Sequence, residues 1–210
     1  MNNKEYLEQI SSQTRPTKAP GNIFGLSLNS KTIKILIGVA ILALVIIIIG
    51  SILSSAGPKN TEQDYLSQIF IRTDSLTKSI EKYNKYVKSS ELRSMGNSLS
   101  AVLTETNYNV ATYLREVLEV KNPAQPEKEK IATDETTHAE ELDKALEDGR
   151  LSGTMDRVYA REFAYEIGML SALESEAIAK TKNDTLKNEL TTSSNNLGTL
   201  YDQFNNFSAQ

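Results

Sequence analysis

The sequence predicts an all-α protein: a single N-terminal transmembrane helix followed by an antiparallel bundle of four to five helices. Three observations predict it. Residues Ile33 to Leu53 form one apolar run that carries no charge from Ile35 onward. All five prolines (Pro16, Pro20, Pro58, Pro123 and Pro126) fall outside 59–122 and 127–210, so nothing in those stretches forces a helix to break. Within them apolar residues recur every three or four positions, the spacing of helices that bury one face.

The apolar run comes first in the chain. At ~1.5 Å per residue it spans ~30 Å, the thickness of a bilayer core. The stretch ILIGVAILALVIIII has no polar stripe, unlike a helix packed in a soluble core. It is also longer than the ~7–15-residue apolar region of a signal peptide. The reading is an uncleaved anchor, with Ser54-Ser55-Ala56 the one stretch that resembles a cleavage site. Residues 1–34 hold Lys4, Arg15, Lys18, Lys31 and Lys34 against Glu5 and Glu8, a net of +3, whereas Lys59 is followed at once by Glu62 and Asp64. The positive-inside bias then keeps the N-terminus in the cytoplasm. The expected division is a disordered cytoplasmic tail at 1–32, a transmembrane helix at 33–53, a linker at 54–60 and an extracytoplasmic bundle at 61–208.

The helical patterns follow in order. The first runs through Leu66, Ile69, Thr73, Leu76, Ile80, Tyr83 and Val87. A Ser89/Ser90 cap opens the second, with Leu92, Met95, Leu99, Leu103, Thr106, Val110, Tyr113 and Val117. After the proline linker a third carries Ile131, Leu142 and Ala145 and stops at Gly149, the expected C-cap glycine. A fourth starts near Ser152 or Thr154 and carries Met155, Tyr159, Phe163, Leu170, Leu173 and Ala177. The fifth follows an Asp184 cap and carries Leu186, Leu190, Ser193, Leu197, Leu200, Phe204 and Phe207. The junctions after the first and fourth are short, which predicts two helical hairpins.

The hairpins resemble each other. A shift of 94 residues lays Tyr65 on Tyr159, Leu76 on Leu170, Leu92 on Leu186 and Leu103 on Leu197 without a gap. Ser90-Glu91-Leu92-Arg93 falls on Asp184-Thr185-Leu186-Lys187, so a duplicated hairpin is the reading. Together with the stretch from Gly153 to Glu162 (GTMDRVYARE), this pattern resembles bacterial membrane-anchored extracytoplasmic helical-bundle proteins of the ferritin-like type. The resemblance implies a ferritin-like fold over roughly 60–207.

A ferritin-like fold calls for a metal test. Di-iron bundles use a Glu-x-x-His from each of two helices. Glu135-Thr136-Thr137-His138 supplies one, but His138 is the chain's sole histidine, which excludes the standard site. A mononuclear site of Glu135, His138 and Glu166 is the remaining metal candidate. All three lie on otherwise apolar stripes, and a carboxylate buried without a partner is costly. The competing expectation puts Glu135 and His138 on the wet edge of a short peripheral helix and pairs Glu166 with a Lys or Arg. Thr73, Tyr83, Thr106, Tyr113 and Tyr159, with Glu166, are candidates to line a ligand pocket.

Other chemistry finds no support. The chain has no cysteine, hence no thiolate or disulfide. It has no Gly-x-Ser-x-Gly elbow, and Gly149-Arg150-Leu151-Ser152-Gly153 lacks the P-loop lysine and spacing. Residues 57–210 hold 18 basic and 25 acidic residues, a net of −7, which argues against nucleic acid or anionic lipid as a partner. The expected role is non-enzymatic, with no cofactor: docking or structure in a cell envelope through a protein partner or self-association. The alternatives are a ligand- or metal-binding bundle and an elongated self-associating coiled coil.

Overall fold

The computed structural model describes residues 60–126 and 128–208. The expected tail, transmembrane helix and most of the linker lie outside the described residues. Among those residues all regular structure is helical, with five α-helices: α1 (Glu62–Tyr83), α2 (Ser90–Glu116), α3 (Glu129–Leu151), α4 (Met155–Lys180) and α5 (Asp184–Asn205). No helix among them is long and apolar enough to cross a membrane.

Local chemistry sets each boundary. Thr61 opens α1 with a capping box: its hydroxyl accepts from the Asp64 amide, and the Asp64 carboxylate accepts from the Thr61 amide. The α-helix ends at Tyr83, earlier than the apolar stripe suggests. Asn84–Tyr86 form a 3-10 turn and Val87 is extended, though its side chain is buried. Ser89 caps α2 by accepting from the Leu92 amide. Asn183, and not the expected Asp184, caps α5 by accepting from the Leu186 amide at 2.9 Å.

The α3–α4 junction departs from expectation in an instructive way. Gly149 does not end the helix; it lies buried inside α3, where a Cβ would stand 2.9 Å from the Val158 Cβ. Its role is to let α3 approach α4. The left-handed residue is Gly153, at φ 73°. The Thr154 amide reaches the Gly149 carbonyl at 2.9 Å and the Gly153 amide points to the Arg150 carbonyl, the Schellman pattern.

Contacts along the helices fix their directions. Asn107 on α2 donates to the Phe70 carbonyl at 2.8 Å and to the Thr73 hydroxyl on α1, while Asn84 bonds Asn97, so α1 and α2 are antiparallel. Thr106 on α2 meets Ser193 on α5, and Phe163 on α4 stacks against Phe204 on α5. Four helices, α1, α2, α5 and α4, thus form a closed ring in which every neighbour is antiparallel. Their shared core includes Leu66, Ile69, Leu99, Leu103, Phe163, Ile167, Leu197 and Phe204.

Helix α3 lies outside that ring, against α1 and α4. It buries five of its 23 residues, where α4 buries thirteen of 26, so α4 is central and α3 peripheral. Polar ties hold α3 to α1 at three levels. Lys128 beside its start bonds Asp64 at 2.6 Å, Glu135 bonds Arg72, and Asp143 accepts from Lys82 and Tyr83. The chain leaves α2 at the pole where α1 begins and enters α4 at the opposite pole, so α3 is the return path between the hairpins.

One packing contact is tight enough to test. A Cβ added at Gly96 on α2 would lie 2.4 Å from the Tyr159 hydroxyl on α4. Gly96→Ala is therefore expected to cost roughly 1–3 kcal/mol by overpacking. Tyr159→Phe, which removes a hydroxyl without a hydrogen-bond partner among the described residues, should recover most of that loss. Thermal unfolding of the two single variants and the double variant measures the coupling; additive effects would place the strain elsewhere.

Candidate functional site

The chemistry of the described residues concentrates in two buried polar clusters, both touching α4. In the first, Arg72 of α1 projects between α3 and α4 with a side chain only 4% exposed. Its Nε donates to Glu135 Oε2 at 2.8 Å and its Nη2 to Glu135 Oε1 at 3.0 Å, a bidentate pairing that uses the planar fork of the guanidinium. The remaining nitrogen, Nη1, lies 3.7 Å from Glu166 Oε2. This is charge contact without a close hydrogen bond.

One guanidinium thus serves two carboxylates, and it serves them unequally. Burial works against the Arg72 charge, but the Glu135 carboxylate outweighs it and holds the guanidinium firmly protonated. Burial pushes the Glu166 carboxyl up to about 7; Arg72 opposes the shift, and the neighbouring Glu135, Glu162 and Glu141 add to it. The cluster is balanced when Glu166 holds its proton and carries one excess negative charge when it does not.

The second cluster joins α4, α5 and α2. Glu174 is fully buried; its Oε1 accepts from the Ser193 hydroxyl at 2.7 Å, and Ser193 meets the Thr106 hydroxyl at 2.6 Å. No cation approaches, and Oε2 has no hydrogen-bond partner among the described residues. Burial pushes this carboxyl up to about 8, with the Ser193 hydrogen bond opposing. Burial thus favours the neutral acid form of Glu174 at neutral pH, as it does for any carboxyl without a cation.

The proposed metal ligands separate. Glu135 and Glu166 are buried against Arg72, whereas His138 is half-exposed at the edge of α3. Among the described residues no three His, Asp or Glu side chains lie together as a metal ligand set. The expectation that Glu135 sits on a wet edge is corrected, because the Arg72 fork draws it inward. Leu146 rather than Ala145 continues the core stripe of α3.

The residues proposed to line a pocket are instead dispersed. Thr73 bonds back to the Ile69 carbonyl, Tyr83 bonds Asp143, Thr106 bonds Ser193, and Tyr159 packs on Phe163 at 4.5 Å. Tyr113 is half-buried. An open groove of about 810 Å³ lies between the start of α2 and the end of α5, lined by Glu91, Met95, Asp202 and Phe207 among others. None of the residues proposed from sequence reaches it.

Sequence reasoning missed Arg72 and Glu174. Both carried a signal: Arg72 lies three residues after Ile69 and four before Leu76, and Glu174 four after Leu170 and three before Ala177. Each occupies the helical ladder beside an assigned stripe position. Asp156, inside the GTMDRVYARE stretch, accepts from the Lys88 and Ser89 amides at 2.7 and 2.9 Å and ties the first hairpin's loop to α4. The chain matches no protein-family model, no curated protein and no solved structure.

Proposed function

We propose that this is a single-pass membrane protein, N-terminus in the cytoplasm, whose extracytoplasmic helical bundle has a non-enzymatic docking or structural role in a cell envelope. The observation that carries the reading is the uncharged stretch Ile35–Leu53 with its basic side toward residue 1, a pattern that a bilayer accepts in one orientation. The buried polar groups of the bundle support the non-enzymatic part: Arg72, Glu135 and Thr73 are committed to internal partners.

The bundle itself reads as a duplicated hairpin. Caps Ser89 and Asn183 stand 94 residues apart, as do Leu92 and Leu186, whose amides they receive. Buried pairs Leu76/Leu170, Leu103/Leu197 and Val110/Phe204 share that spacing. These matches support the duplication; kinship with ferritin-like membrane-anchored bundles is proposed from the sequence pattern alone.

The absence of cysteine makes the topology directly measurable. Single-cysteine variants Ser12→Cys and Ser98→Cys are expected to differ: in intact cells a membrane-impermeant maleimide labels position 98 and reaches position 12 only after permeabilisation. Equal labelling at both would refute the orientation. The docking role is tested by photocrosslinking from exposed positions such as Tyr108 and Tyr165 in native membranes. Reproducible capture of one envelope protein, lost on substituting the crosslinking face, is the expected result; a pattern unaffected by those substitutions removes the role.

A further inference from the structure

We infer that Arg72 and Glu166 decide which hairpin pairs with which, holding α1–α2 against α4–α5 of the same chain and rejecting a second copy of either hairpin. The inference stands on the geometry of the ring and does not depend on the membrane reading.

The two hairpins are related by a twofold axis across the bundle, because α1 and α4 are antiparallel neighbours and so are α2 and α5. Residues close to such an axis face their own equivalents. Arg72 and Glu166 are 94 residues apart and face each other at 3.7 Å, so they lie at the axis. Any pairing of the first hairpin with a copy of itself would set Arg72 against Arg72. Self-pairing of the second would set Glu166 against Glu166. The first places like charges in a buried site and the second leaves two buried carboxyls without a cation, whereas the observed pairing gives Glu166 the Arg72 guanidinium at 3.7 Å.

A second contact makes the same choice independently. Thr106 of α2 meets Ser193 of α5 hydroxyl to hydroxyl. The residues 94 positions removed from these, Leu200 and Leu99, are both buried and apolar. In a self-pair of the first hairpin, Thr106 would face Leu99 and lose its hydrogen bond. In a self-pair of the second, Ser193 would face Leu200 and keep only its bond to Glu174. A buried hydroxyl without a partner is costly, so the Thr106 hydrogen bond, like the Arg72 charge, rejects the self-pair of the first hairpin.

The apolar faces of the two hairpins differ in shape, with Gly96 against Leu190 and Ile69 against Phe163 at equivalent positions, and the buried polar groups add to that distinction.

The test uses the full chain in detergent, with mass by light scattering and stability by thermal unfolding. Arg72→Glu sets three carboxylates together and is expected to lower Tm by roughly 10 °C or more. Glu166→Arg should lose less, because Glu135 lies beside both arginines. The reversed pair, Arg72→Glu with Glu166→Arg in one chain, is expected to return to a monomer close to the original Tm. Refolding the two single variants together should produce mixed dimers, twice the monomer mass and absent from either variant alone, since opposite charges then meet only between chains. If the reversed pair stays as unstable as Arg72→Glu, or if the mixture yields no mixed dimer, the inference is overturned.

Discussion

Arg72→Met will be among the most damaging single changes in this bundle, costing roughly 3–5 kcal/mol, the usual consequence of removing one partner from a buried ion pair. The cost comes less from lost attraction than from what is left behind. Glu135 loses both of its guanidinium hydrogen bonds, and Glu166 loses the cation 3.7 Å away. Both side chains are at most 7% exposed, so water cannot replace the guanidinium without opening the α1–α3 contact. Helix α3 is expected to loosen first, because that pair is the middle of its three polar ties. Hydrogen exchange should show faster amides in 129–151 than in α4. The triple variant Arg72→Met, Glu135→Leu, Glu166→Leu should regain most of the stability. If the single variant unfolds at the temperature of the parent, the cluster carries no such energy.

Stability is expected to fall as pH rises from 5 to 8, opposite to the behaviour of a fold built on surface ion pairs. Glu166 and Glu174 have carboxyls pushed up to about 7 and about 8, from an ordinary value of 4.5. Below pH 4.5 both are protonated in folded and unfolded chains, and neither biases the equilibrium. Between 4.5 and those raised values the unfolded chain releases its protons while the folded chain keeps them, so every step in pH favours unfolding. Above about 8 the loss is complete. At about 1.4 kcal/mol per unit, two such groups weaken the fold by several kcal/mol, an upper bound that local opening would reduce. Glu174→Gln keeps the shape and removes the titration, so its Tm should change less between pH 5 and pH 8 than that of the parent. A parent as stable at pH 8 as at pH 5 would show that neither carboxyl is held neutral.

Most of the helical organisation was legible because periodicity reports which face of a helix is buried, and that information is local. Leu66, Leu76, Leu99, Leu103, Leu170 and Leu197 announced themselves by spacing and are all core residues. Helix ends were less legible. The stripe carries on through Val87 and Val117, yet Val87 is buried outside any helix and Val117 is exposed beyond the end of α2. Gly149 and Gly153 show the same difficulty: which of two glycines turns the chain depends on which must approach Val158, a contact across helices.

The candidate site was legible only as an anomaly. Glu135 and Glu166 were conspicuous as carboxylates on apolar faces, but their partner, Arg72, lies 63 residues before Glu135. Nothing local distinguishes an arginine that snorkels to water from one that turns inward. His138 was conspicuous for its type and adjacency, yet it falls on the edge of α3, one step outside the face that Glu135 presents. Glu174 passed unnoticed because Leu173 beside it satisfied the stripe.

The return helix α3 has a mechanical corollary. It raises the number of passes along the bundle from four to five, an odd number, so Asn60 and Ser208 lie at opposite poles. Along an α1 of 22 residues that separation is about 33 Å at ~1.5 Å per residue. A four-pass bundle would bring both ends to one pole, where a pull between them would peel the hairpins apart one contact at a time. Here a load applied between the two ends runs parallel to the helices and shears all of their side-chain contacts together.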